Sequence, residues 1–152
     1  MTGHNYRHTQ VGYVTLTVLL VVASTVVALA SRSARPVTIG VASLLAICGV
    51  LFSSLTVEVT HEELRCHFGP GFWRKRVALN EVTAATPTQN SWWEGWGIRF
   101  TPRGMLYNVS GTHAVEITLR SGKRFRIGTD EPEALVQALR AAISPAGPPS
   151  RT

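Results

Sequence analysis

The chain has 152 residues, with 15 Lys and Arg against 9 Asp and Glu, and a formal net charge of +6. That length leaves room for one small domain beside any apolar segment, and the charge is too modest to argue for nucleic acid. The 2 cysteines, Cys48 in an apolar run and Cys66 in the polar part, are unsuited to a disulfide by their locations and demand no oxidising compartment.

Residues 1–10 read as a polar N-terminal tail in which His4 and His8 are solvated. Two runs follow, Val11 to Ala30 and Val37 to Leu55, without Asp, Glu, Lys, Arg or His. A helix of about 20 residues rises about 30 Å, the hydrocarbon thickness of a bilayer. The first run is rich in Val and Thr, but in lipid the backbone must satisfy itself, so a helix is expected there. Its hydroxyls can bond back to the preceding turn. The linker Ser31 to Pro36 is too short for a domain, so residues 11–55 are expected to form a transmembrane hairpin of helices 11–30 and 37–55. Ala28-Leu29-Ala30 before Ser31 resembles a signal-peptidase site. The run is longer than a signal core and a second follows closely, so two spans are the favoured reading. Arg32 and Arg35 pull the loop toward the cytoplasm while Arg7 and the later basic residues pull the other way, which leaves the charge rule balanced. Gly40, Ser43 and Gly49 would let the helices approach closely, though small residues are also simply tolerated in lipid.

From Thr56 the apolar period becomes two, the signature of half-buried strands. Strands are expected around Val57; Leu64, Cys66 and Phe68; Trp73, Lys75, Val77 and Leu79; Trp96, Ile98 and Phe100; Met105, Tyr107 and Val109; Val115, Ile117 and Leu119; and Phe125 and Ile127. The turn at Arg120-Ser121-Gly122 wants a left-handed residue last, which Gly122 supplies. That register pairs Ile117 with Phe125 and Val115 with Ile127, and sets Glu116 opposite Arg126 and Thr118 opposite Arg124. By the same logic Phe100 faces Met105, and Ile98 faces Tyr107. Asp130 with Glu133, and Pro132 in the first turn, start a helix whose stripe is Leu135, Val136, Leu139 and Ile143. Ser144-Pro145 ends it, and residues 144–152 read as a disordered tail. The β domain therefore spans 56–143, as a seven-stranded antiparallel barrel or sandwich plugged by its C-terminal helix.

The stretch from His61 to Val82 (HEELRCHFGPGFWRKRVALNEV) resembles the opening of bacterial PH-like domains, which commonly follow a transmembrane hairpin. Gly95 to Gly111 and Gly122 to Leu135 resemble a group of small uncharacterised bacterial membrane proteins. The resemblance covers nearly the whole chain. It implies an α+β membrane protein with a PH-like domain, multi-pass in the bacterial inner membrane, with the domain and both termini cytoplasmic. It implies no ligand or reaction and transfers no site residues.

Chemistry-bearing motifs are sparse. His61, Glu62, Cys66 and His67 resemble a metal set only on paper, because strand alternation sends Cys66 and His67 to opposite faces. Ser110 and His113 flank a turn, and Asn108-Val109-Ser110 is a cheap sequon match. No phosphate loop, nucleophile elbow or carboxylate pair appears. The expectation is a non-enzyme without cofactor or metal. Trp92 and Trp93 are candidates for partner contact, although packing onto the barrel is the favoured reading for them; Trp96 is expected in the core. Phe72, Trp73, Arg74, Lys75 and Arg76 are candidates for membrane-surface contact, being aromatic and basic on a strand that returns toward the bilayer. The second basic patch, Lys123, Arg124 and Arg126, would be partly neutralised if Glu116 pairs with Arg126. The expected function is a membrane-tethered PH-like interaction or assembly module. The alternative is an accessory subunit of a larger membrane complex acting through its spans. The expected partners are the lipid bilayer, anionic lipids, and a membrane protein or a second copy.

Overall fold

The computed structural model describes residues 6–30 and 35–143. The chain opens with strand β1 (Tyr6–Val11), then helices α1 (Tyr13–Leu29) and α2 (Arg35–Leu51). Strands β2 (Ser54–Val59), β3 (Glu63–Phe68) and β4 (Trp73–Ala78) follow. After a 3-10 turn at Leu79–Glu81 come β5 (Val82–Gln89) and a second such turn, Trp92–Glu94. Strands β6 (Gly97–Thr101), β7 (Gly104–Asn108), β8 (His113–Leu119) and β9 (Arg124–Gly128) lead to helix α3 (Pro132–Ile143). The expected disordered tail, 144–152, lies outside the described residues, as does most of the linker between α1 and α2.

The expected transmembrane hairpin is corrected here. Helices α1 and α2 have 17 residues each, a rise of about 25 Å. Among the described residues no helix is long and apolar enough to cross a membrane. The multi-pass inner-membrane assignment, with a cytoplasmic domain and termini, falls with it. The apolar runs are longer than the helices because their ends serve the β domain. Val11 is the last residue of β1, the Gly12 N–H donates to the Ser53 carbonyl at 2.8 Å, and Leu55 is a fully buried core residue of β2. The backbone does follow the expected helical economy: Thr17 Oγ1 donates to the Tyr13 carbonyl and Thr25 Oγ1 to the Val21 carbonyl, each at 2.8 Å.

The seven-stranded antiparallel barrel is corrected as well, to a four-stranded sheet in the order β1-β2-β3-β4 and a five-stranded sheet in the order β5-β8-β9-β7-β6. Two strands carry no clean alternation in sequence. β1, expected as tail, pairs with β2 from Tyr6–Val59 to Val11–Ser54. β5 contains Pro87 and a bulge between Val82 and Ala84; it is an edge strand, where a missing N–H is tolerated. One pairing is parallel, β7 with β9, so the β6–β7 hairpin is laid beside β9. The two predicted hairpin registers are observed: Ile117 opposite Phe125, Val115 opposite Ile127, Phe100 opposite Met105 and Ile98 opposite Tyr107. Gly122 has φ +80, the left-handed conformation its turn requires.

The core lies between the sheets. Leu55, Val57, Leu64 and Phe68 from one sheet meet Tyr107, Val115, Ile117 and Phe125 from the other. Leu135, Val136 and Leu139 of α3 are buried in the same cluster. Ahead of α3, Asp130 does not act as the expected box residue. Its carboxylate accepts from His8 Nε2 at 2.6 Å, tying α3 to β1.

Candidate functional site

The feature that distinguishes this surface is the hairpin. α1 has no buried residue, and Gly49 alone is buried in α2. Fourteen large apolar side chains of the two helices are exposed, among them Leu20 at 68%, Val37 at 69% and Leu29 at 81%. Of the small residues expected to admit close approach, Gly49 faces α1, where an added Cβ would meet Leu16 and Leu19 at 3.8 Å. Gly40 faces open space. A groove of about 390 Å³ runs between the helices, lined by Leu16, Leu19, Ala23, Ala42, Ala46 and Gly49.

The base of the hairpin is fixed to both sheets. β1 runs into α1 and α2 runs into β2, and those two strands are neighbours. Thr15 Oγ1 donates to the Val109 carbonyl at 2.8 Å. The β3–β4 turn lies under the end of α2: Gly69 N–H donates to the Ser54 carbonyl at 2.8 Å, and Phe72 meets Phe52 edge-on at 5.4 Å. A second crevice, about 520 Å³, opens between hairpin and β6–β7, with Leu19, Phe52, Trp93, Trp96 and Arg99 on its walls.

Trp92 and Trp93 are exposed, at 62% and 75%, with ring centroids 3.6 Å apart. The packed arrangement favoured from sequence is therefore not the one observed. Trp96 is half-buried in the crevice wall and not in the core, and Phe100 is exposed. What holds the two exposed rings is a buried cation. Arg126 is fully buried and donates to Asn90 Oδ1 at 2.6 Å, Glu94 Oε1 at 2.7 Å and Thr101 Oγ1 at 2.9 Å. Glu94 in turn accepts from the Ser91 N–H at 3.0 Å, closing the turn that carries Trp92 and Trp93. The hydrogen bond from Arg126 holds the Glu94 carboxyl below the usual carboxylate range. The proposed Glu116–Arg126 pair is not formed; Glu116 meets Arg124 at 3.6 Å. Cross-strand register put Glu116 and Arg126 opposite one another, but the 90–101 segment folds over Arg126 and supplies a nearer acid. The Ser-x-x-Glu spacing at 91–94 was the sequence signal for that turn.

The five candidate contact residues separate by alternation. Trp73 and Lys75 point into the domain: Trp73 stacks on Tyr107 at 4.5 Å, and Lys75 Nζ sits 4.7 Å from the Phe125 ring centroid. Phe72, Arg74 and Arg76 are exposed. Among the described residues no group of three or more His, Cys, Asp or Glu converges for a metal. Burial pushes the Cys66 thiol up to about 12, so it offers no thiolate near neutral pH.

No protein family, curated protein or solved structure matches this chain. The functional reading rests on its own residues.

Proposed function

We propose that the chain is a non-catalytic interaction module that docks on a lipid surface through its hairpin. The acyl layer would shelter α1 and α2, and Phe72, Trp92 and Trp93 would lie at headgroup depth. The reading asks that the helices be sheltered, not that either reach the far side. One observation carries it: both helices are apolar on every face and exposed on nearly every face. A helix of that kind is stable when something apolar surrounds it. At about 1 kcal/mol for each half-exposed large side chain, fourteen of them represent on the order of 10 kcal/mol of unrealised burial. The aromatic residues at the hairpin's base supply the amphipathic rings that suit a lipid–water boundary.

The test is flotation of the full chain with neutral phosphatidylcholine vesicles, after removal of detergent. The chain should float, and brominated acyl chains should quench its tryptophan fluorescence. Leu20→Asp combined with Leu44→Asp should abolish flotation. A chain that stays with the aqueous fraction as a defined dimer or higher oligomer would overturn the lipid reading. It would favour the groove between the helices as a self-association surface.

A further inference from the structure

The outward face of the four-stranded sheet carries a charge pattern that its own residues do not balance. Register places Arg7, Glu58, Arg65 and Arg76 side by side across β1 to β4. The adjoining row, two residues nearer the hairpin, is Thr9, Thr56, His67 and Arg74. Directly opposed side chains have Cβ atoms about 5 Å apart, and like charges there are destabilising. Arg65 and Arg76 are such a pair. The acids are spent elsewhere in the ladder: Glu58 pairs with Arg7 at 3.1 Å, and Glu63 with Arg65. Among the described residues no acid lies within ion-pair distance of Arg74 or Arg76. Lys75 does not add to this face, because it points inward to Tyr107 and Phe125.

Three guanidinium groups, those of Arg65, Arg74 and Arg76, thus border one recess of about 230 Å³, which Glu58, His67 and Gly71 also line. Glu58 is held by Arg7 and Arg65 by Glu63, which leaves Arg74 and Arg76 as the two cations without a direct ion pair. Arg74 is held in place there by its own hydrogen bond, Nε to the Gly71 carbonyl at 3.0 Å, leaving its terminal nitrogens for another acceptor. His67 Nδ1 is buried without a hydrogen-bond partner. An unpartnered buried ring nitrogen beside two arginines that make no direct ion pair is an incomplete polar arrangement.

We infer that this recess binds a phosphate monoester, with Arg74 and Arg76 as the two cations and His67 as a third contact. A phosphate dianion suits the two guanidinium groups that make no direct ion pair, the Glu58 carboxylate on the same recess being held by Arg7, and guanidinium forks suit its oxygens geometrically. A free phosphate compound and a phosphate headgroup present the same chemistry. The inference does not rest on hairpin docking.

The experiment titrates the full chain with inorganic phosphate by calorimetry at low ionic strength. Saturable binding is expected, weakened at least tenfold in the Arg74→Gln, Arg76→Gln double variant. Arg140→Gln on α3 should bind as the natural chain does. Absence of saturable binding, or equal weakening by Arg140→Gln, would overturn the site, the latter because it reports only net charge. Retained affinity in the double variant would overturn it too. Flotation with phosphatidylcholine vesicles containing phosphatidate or an equal charge of phosphatidylserine separates the sources. A preference for phosphatidate that the double variant loses identifies a headgroup ligand. Solution binding without that preference identifies a soluble one. Flotation on neutral vesicles reports the hairpin alone and should be unchanged in the double variant.

Discussion

Arg126→Met should destabilise the β domain by about 3 kcal/mol and release the Trp92–Trp93 turn. Methionine fills much of the arginine's volume, so the loss is chiefly polar. The guanidinium is fully buried, and removing one partner of a buried pair costs about 3–5 kcal/mol. The low end applies because the Glu94 side chain retains 21% exposure and can rehydrate. Asn90 is only 5% exposed, and its Oδ1 would lose the Arg126 donor; an orphaned buried acceptor costs about 1–3 kcal/mol. Thr101 Oγ1 suffers less, since it keeps its bond to the Gly104 carbonyl at 2.7 Å. Urea unfolding followed by near-ultraviolet circular dichroism reports both effects, because the stacked indoles contribute directly to that signal. A loss under about 1 kcal/mol with the indole signal intact would refute the anchoring role of Arg126.

Acid should reach the same turn through Glu94. Its carboxyl titrates below the ordinary range when folded because Arg126 donates to it. Its stabilising contribution is therefore complete above the unfolded glutamate value of about 4.3 and is lost as pH falls through the lower folded value. The indole signal should persist at the unfolded value and fade below it, and Glu94→Gln should remove that acid transition. Gly69→Ala should cost at least about 2 kcal/mol in thermal unfolding. Its φ is +45 and an added Cβ would lie 2.6 Å from the Leu51 carbonyl oxygen; an unchanged midpoint would contradict the close approach of that turn to α2. Deleting residues 1–10 should lower stability by about 3 kcal/mol or more, since it strips a paired strand and exposes the β2 edge. A neutral deletion would restore the view of this segment as a tail.

The readable parts of this fold were those with local signals. Strands β8 and β9 alternate cleanly around a glycine turn, so their register followed from residues 115–127 alone. Inward Trp73 and Lys75 and outward Arg74 and Arg76 followed from the same alternation. β1 was hidden because Tyr6 to Val11 is polar and its partner lies beyond two helices. β5 was hidden because Pro87 and the bulge break its period. The helices end short of the apolar runs, because Val11 and Leu55 are apolar for the sake of strands. The partner of Arg126 is not legible locally, because opposition across a ladder is local, whereas its burial depends on a segment from 90 to 101 folding back over the sheet. The exposure of Trp92 and Trp93 has the same origin.

Val11 and Ser54 are direct partners in the β1–β2 ladder. The whole of α1 and α2 is therefore an insertion at the apex of what would otherwise be an ordinary β-turn. A two-residue Asn-Gly turn could replace residues 12–53 without altering any strand register.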